Sequence, residues 1–222
     1  MLTDERLSMI IDLLPNCGVI ADIGTDHGRL GAQLLLSGKC EKVWFSDISA
    51  PSLDKAKILC SRLSLSDRAE FFVSDGAKAF PCAPDCAVIA GMGGATIKEI
   101  LLGAGDKLKG THLVLQPNVY IRETREALCK IGYKITSERC VIAAKRKYIL
   151  LYAEPGCAQY TYEELVAGPI LLKEKTESFM EYARFRKRVI EKALKGMEKS
   201  DSADNDEMLR ELCVWRGILN EN

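Results

Sequence analysis

Two hydrophobic rhythms alternate along the first two thirds of this chain. Short apolar runs at 19–23, 42–47, 70–74, 86–90 and 112–116 end in polar or glycine-rich turns and read as buried strands. Between them, 28–36, 51–63, 95–102 and 121–131 carry the helical period. Pro51 suits a first helical turn, and Ser37-Gly38 and Gly132 act as stops. An amphipathic helix over 4–14, stopped by Pro15, precedes the first strand. Five strand–helix repeats in succession predict an α/β fold on a parallel, doubly wound sheet with right-handed crossovers.

The rhythm then changes. Residues 133–153 hold two strands (YKITSERCVIA and KYILLYAE), predicted as a terminal antiparallel hairpin around Lys145, Arg146 and Lys147. The first of these strands runs parallel to the sheet, so the basic tip is expected at the sheet's carboxyl edge. Strands stop after Pro155-Gly156. Residues 163–198 read as helical, with Phe179, Ala183, Ile190, Ala193 and Met197 at three- and four-residue steps and Arg186 interrupting. After a polar break (200–206), a second helix carries Met208, Leu212, Trp215 and Leu219. Two facing apolar seams predict an antiparallel, coiled-coil-like helical hairpin. The expected division is a domain over 1–155 and a small helical domain over 156–222, and a chain ending at Pro155 is expected to fold.

The chain has 222 residues, 47% of them hydrophobic and 28% charged, which indicates a globular protein. Lys+Arg and Asp+Glu are equal at 31 each, which argues against non-specific coating of nucleic acid but allows local basic patches. No run reaches transmembrane length, and the start (MLTDERLS) is no signal peptide, so a cytoplasmic protein is expected. The nine Cys are scattered without a C-x-x-C. Cys17, Cys40, Cys60, Cys129, Cys140 and Cys213 fall mostly within apolar patterns, so no metal site is expected and the thiols are taken as reduced.

The candidate chemistry begins at 19–30, VIADIGTDHGRL, where an apolar run passes through a glycine turn into a helix start. At such a junction free backbone N–H groups and the helix dipole are available to a nucleotide-like ligand. The turn has glycine only at Gly24 and Gly28, so it lacks the dinucleotide G-x-G-x-x-G. It reads as a site for S-adenosylmethionine, which has no pyrophosphate to cradle. Gly24 permits close approach of the methionine part, while Asp22 and Asp26 orient its ammonium or nearby water. Equally, either Asp could simply cap the helix. Thr25 and His27 share the loop, though a His there could merely pack. About twenty residues on, Asp47 ends the second strand, where a carboxylate can hold ribose hydroxyls, with Ile48 beside it. Asp75 and Gly76 end the third strand near the expected adenine edge, or form an ordinary Asp-Gly turn.

Two further loops share that edge. Gly91, Met92, Gly93 and Gly94 allow close backbone approach after the fourth strand. Gln116-Pro117-Asn118 adds an amide pair to the rim, suited to reading a base edge. Lys145, Arg146 and Lys147, with Arg184, Arg186, Lys187, Arg188, Lys192, Lys195 and Lys199, could contact phosphates. The helical part of this set could also be a solvated face.

ADIGTDHGRL (21–30), IAGMGGATI (89–97) and LQPN (115–118), in that order ahead of a helical extension, resemble the bacterial tRNA (adenine-22, N1)-methyltransferase family over about residues 1–155. The resemblance implies a class I, Rossmann-like methyltransferase domain, S-adenosylmethionine as methyl donor, and a C-terminal coiled-coil-like domain that helps grip tRNA. The family's Asp-His pair falls on Asp26 and His27, its GMGG on Gly91 to Gly94, and its Gln-Pro-Asn on Gln116 to Asn118. Asp47 stands where some members have Glu, and the helical extension here is short. The implied activity is methyl transfer to N1 of an adenine in tRNA. Methylation of another RNA or a small molecule, or RNA binding without catalysis, are the alternatives. Asp26 is the first candidate to stabilise the charge that develops on the base, followed by Asn118 and the backbone of Gly91, Met92 and Gly93. No membrane and no protein partner is implied.

Overall fold

The computed structural model describes residues 5–144, 146–196 and 203–221. Helix α1 (Glu5–Leu13) is followed by β1 (Cys17–Ile23), α2 (Arg29–Leu36), β2 (Cys40–Asp47), α3 (Ala50–Arg62), β3 (Ala69–Val73), β4 (Cys86–Met92), α4 (Gly94–Gly103), β5 (His112–Pro117), α5 (Ile121–Lys130), β6 (Tyr133–Ala143) and β7 (Arg146–Pro155). Then come α6 (Tyr162–Ala167), α7 (Leu171–Glu174), α8 (Glu177–Gly196) and α9 (Ala203–Ile218). Local chemistry explains several starts. Ser49 caps α3 with Pro51 in its first turn, and Thr161 and Glu164 form a capping box on α6.

Among the described residues the sheet runs β3-β2-β1-β4-β5-β7-β6. The first five strands are parallel, and β7 is antiparallel to both β5 and β6. β6 therefore points the same way as the first five. Strand order reverses between β1 and β4, which opens a crevice at their carboxyl ends.

The period-two alternation of the strands divides the core into two layers. Ile20, Val88, Val114 and Leu150 face α1, α2 and α3. Ala21, Ile23, Ile89, Leu113 and Leu115 face α4, α5 and the C-terminal helices. Phe179, Tyr182, Ile190, Leu212 and Trp215 belong to this second layer, so the core runs on across residue 155.

Several sequence expectations are corrected. Only four of the five expected strand–helix repeats carry a helix, because β3 and β4 are joined by turns. Pro81 and Pro84 lack the N–H a helix needs, and Gly76 turns at φ +70°. The helix expected over 163–198 is broken into α6, α7 and α8. Gly168 lies at φ +108°, where a Cβ would stand 2.5 Å from Glu138 Oε2, and Pro169 follows it. Helix α9 (Ala203–Ile218) takes in part of the expected polar break. The fourth strand continues through Met92, with a bulge at Gly91 (φ +81°). Cys213 is exposed rather than part of the apolar seam. Met197, Lys199 and Lys145 lie outside the described residues. No helix among the described residues is long and apolar enough to cross a membrane.

Candidate functional site

Asp22 shares a face of β1 with Ile20 and points toward α2. There its Oδ2 accepts from Thr25 Oγ1 at 2.7 Å and from the Gly31 amide at 3.2 Å. It thus caps α2 from the strand, since Gly28 at the helix start brings no side chain. Burial pushes Asp22 up to about 6, against the lowering effect of those two bonds, and the nearby Asp47 adds to the rise.

The loop after β1 is tied to β2. The amides of Gly24 and Thr25 donate to Ser46 O, and the Asp26 amide donates to Asp47 Oδ2 at 3.0 Å. Asp47 Oδ1 accepts from the Ser49 amide at 2.9 Å. Each carboxylate oxygen takes one backbone donor and keeps a lone pair for another ligand. Ile48 is 73% exposed beside it.

Asp26 sits at φ +52° with its carboxylate against His27 Nδ1 at 2.6 Å. His27 Nε2 lies 3.2 Å from Lys55 Nζ. An ammonium only donates, so Nε2 accepts and the imidazole proton stands on Nδ1, facing Asp26. Lys55 is a partner the sequence did not reveal.

The amide rim is built differently from expectation. Gln116 is fully buried and does not reach the rim: its place in β5 turns it toward α1, where Arg6 Nη1 donates to its Oε1 at 2.9 Å. Gln116 Nε2 donates to Asn118 Oδ1, and Asn118 Nδ2 donates to Gly91 O at 2.7 Å. The Asn118 amide also donates to Met92 O. Asn118 is exposed, yet both ends of its carboxamide are used: Oδ1 is held by Gln116, and Nδ2 clamps the Gly91–Gly94 loop. Met92 in turn covers Gly24: a Cβ on Gly24 would lie 1.7 Å from Met92 Cε. The space beside Gly24, expected to be open to a ligand, is held by the thioether.

Asp22, Gly24, Thr25, Asp26, His27, Gly91, Met92 and Asn118 line one cleft of about 2510 Å³, which also takes in Arg146 and Lys147. Asp47, Ile48, Asp75 and Gly76 are not in its lining. Asp75 instead pairs with Lys78 Nζ at 2.5 Å, and Gly76 O accepts from Ser46 Oγ. Arg146 and Lys147 do lie at the carboxyl edge. Lys147, however, is paired with Glu181 at 2.8 Å, and Lys187 with Glu221. Arg146, Arg184 and Arg188 are exposed. Sequence reasoning missed Arg6, Tyr120, Tyr148 and Phe185 on the cleft wall. Only Tyr120 carried a signal, as the aromatic just beyond LQPN.

A family described as a methyltransferase domain matches residues 3–151. A tRNA (adenine(22)-N(1))-methyltransferase of Bacillus subtilis (strain 168) is 29% identical over 229 residues, covering 98% of this chain and 95% of its own. The crystal structure of the B. subtilis M1A22 tRNA methyltransferase superposes with a TM-score of 0.87 at 28% identity, over 97% of this chain and 98% of its own. A protein in the NADB-Rossmann superfamily from Streptococcus agalactiae gives a TM-score of 0.91 at 26% identity, over 99% and 98%.

Proposed function

Because the chain belongs to the methyltransferase-domain family, we propose that it transfers a methyl group from S-adenosylmethionine to N1 of an adenine in tRNA, adenine 22 in the numbering of its B. subtilis relative's name. One observation carries the reading. A strand-end site joining Gly24, Asp26 and Asp47 opens into a cleft of about 2510 Å³ with an exposed arginine, Arg146, on its wall. Sites for small molecules are roughly 300–1,000 Å³, so the cleft has room for a nucleotide still attached to a macromolecule.

The residues present fit the cofactor. Asp22 is a buried carboxylate poised at about 6, ready to ionise beside an ammonium. Asp47 keeps a free lone pair on each oxygen for the two ribose hydroxyls, with Ile48 as an apolar neighbour for the adenine. Thr25, His27, Asp75 and Gly76 complete the proposed cofactor set. When bound, S-adenosylmethionine supplies a sulfonium methyl electrophilic enough to need no strong base.

The chain's work is therefore placement. The Gly91–Gly94 loop, clamped by Asn118, offers backbone carbonyls at the crevice, and Asp26 offers the carboxylate oxygen that His27 leaves open. Methylation at N1 makes the base cationic, and an acceptor at its N6 amino group favours that charge. Lys55 and His27 hold Asp26 in position for this. Arg146, Arg184 and Arg188, with Lys145, serve the tRNA backbone, and described residues of α8 and α9 line the far wall. Such a substrate puts the enzyme's work in the cytoplasm.

The test is to incubate the chain with tRNA and labelled S-adenosylmethionine and to map reverse-transcription stops, which N1-methylation produces by blocking the pairing edge. A single stop at one adenine supports the function. Label in no RNA, with cofactor bound, would overturn it.

A further inference from the structure

Tyr120 breaks the local rules of its position. It is the N-cap of α5 and lies in the left-handed region (φ 56°, ψ 51°), without a side-chain cap bond. Asn or Gly would adopt this backbone with less strain, and Asn would also cap the helix. An aromatic ring at such a place gains nothing for folding: Tyr120 is 65% exposed and its neighbour Val119 53%. Residues that violate local preference without structural return mark function.

The strained backbone is held firmly against the Gly91–Gly94 loop. The Gly94 amide donates to Val119 O at 2.7 Å. Gly94 must lack a side chain, because a Cβ there would lie 1.8 Å from Tyr120 O. Asn118, two residues earlier, is bonded to Gly91 O and Met92 O. Tyr120 is thus fixed in place relative to the Gly91–Gly94 crevice and lines the same cleft. Other aromatic rings of the cleft are engaged: Tyr182 packs on Trp215 at 5.7 Å, Tyr148 lies beneath Arg6, and Phe185 beneath Lys147.

We propose that the ring of Tyr120 is the platform on which the target adenine stacks once it leaves the RNA stack. The inference rests on the adenine-methylating function above. A base presented for chemistry at N1 loses its neighbours' stacking and needs a replacement face. A tyrosine face has a second use here. The methylated base is cationic and the unmethylated base is neutral, so cation–π attraction grows as the methyl is transferred. Stacking on Tyr120 thus favours both the extruded base and the charge that forms on it.

The experiment compares Tyr120→Phe, which keeps the π face, with Tyr120→Leu, which keeps apolar bulk alone. Single-turnover methylation is measured at saturating S-adenosylmethionine and tRNA, with cofactor binding by calorimetry as the folding control. Tyr120→Leu is expected to slow the step roughly tenfold to a hundredfold, and Tyr120→Phe to lose at most about threefold. A tRNA with 2-aminopurine at the target position reports the stacking directly: its fluorescence should be quenched on the wild-type enzyme and bright on Tyr120→Leu. Tyr120→Leu at the wild-type rate, or Tyr120→Phe as slow as Tyr120→Leu with cofactor binding intact, would overturn the assignment. A wild-type chain that binds cofactor but leaves tRNA adenine unmethylated would overturn the function beneath it.

Discussion

Arg125 on α5 and Glu138 on β6 face each other at 2.9 Å with side chains 1% and 0% exposed. Arg125 Nη1 donates to Leu165 O and Val166 O, and Glu138 Oε2 accepts from the Ile170 and Leu171 amides. One ion pair therefore ties the sheet to the segment that enters the C-terminal helices. Removing one partner leaves a buried charge and orphaned backbone groups. Glu138→Ala is expected to cost about 3–5 kcal/mol, read from urea unfolding, and Arg125→Met a similar amount. The pair replaced together by apolar residues should cost less than either alone.

The same pair bears on truncation. A chain ending at Pro155 loses the carbonyls and amides that satisfy Arg125 and Glu138, and uncovers the core layer that Phe179 and Trp215 complete. Contrary to the sequence expectation, such a fragment is predicted to be unfolded or aggregated. Size-exclusion chromatography and circular dichroism decide the matter: a monodisperse, cooperatively melting 1–155 fragment refutes the prediction.

Asp22 should give cofactor binding a pH signature. Its folded value of about 6 lies above the ordinary carboxylate value. Without ligand, the folded chain holds this proton more tightly than the unfolded chain. The stabilising contribution is complete below about pH 4 and is lost as pH rises through about 6. A ligand ammonium beside the carboxylate prefers the ionised form, so the sign reverses. Affinity for S-adenosylmethionine should weaken below about pH 6, by up to tenfold per unit, and Asp22→Asn should flatten the profile. Calorimetric titrations from about pH 5 to 8 test this, and parallel profiles would remove Asp22 from the ammonium's neighbourhood.

Asp47→Ala is expected to weaken cofactor binding by roughly 1.5–3 kcal/mol through lost charge-assisted bonds. It also frees the Asp26 amide, so the loop after β1 should loosen and its amide hydrogens exchange faster. Unchanged affinity with faster exchange would make Asp47 a loop anchor alone.

Arg146, Arg184 and Arg188 are the exposed arginines of the basic set, while Lys147 and Lys187 are paired with Glu181 and Glu221. Arg-to-Gln changes at the three arginines should lower the slope of log affinity against log salt by about 0.7–0.9 for each phosphate no longer neutralised. Lys147→Gln should change that slope less, because its charge is already matched by Glu181. Filter binding of tRNA across a salt series measures both, and cofactor affinity should not follow either change.

Sequence by itself determined the layers and the turns. Alternation in β1 puts Ile20 and Asp22 on one face and Ala21 and Ile23 on the other, and the same parity in β5 sets Val114 and Gln116 opposite Leu113 and Leu115. Glycine and proline marked most element ends because their effects act within one or two residues. From there the positions of Asp22, Asp47 and the Gly91–Gly94 loop at one sheet edge followed from topology. Tertiary structure alone decided what those side chains do. Gln116 read as a rim amide, but its partner Arg6 lies 110 residues away on α1 and draws it into the core. Lys147 read as a free cation, but α8 brings Glu181 to it. Glu138 carried no signal in the hairpin sequence, but it holds two amides some thirty residues on. A polar side chain looks the same in sequence whether it meets water or a distant partner. Only the packing of layers, driven by apolar burial, brings that partner within hydrogen-bond reach.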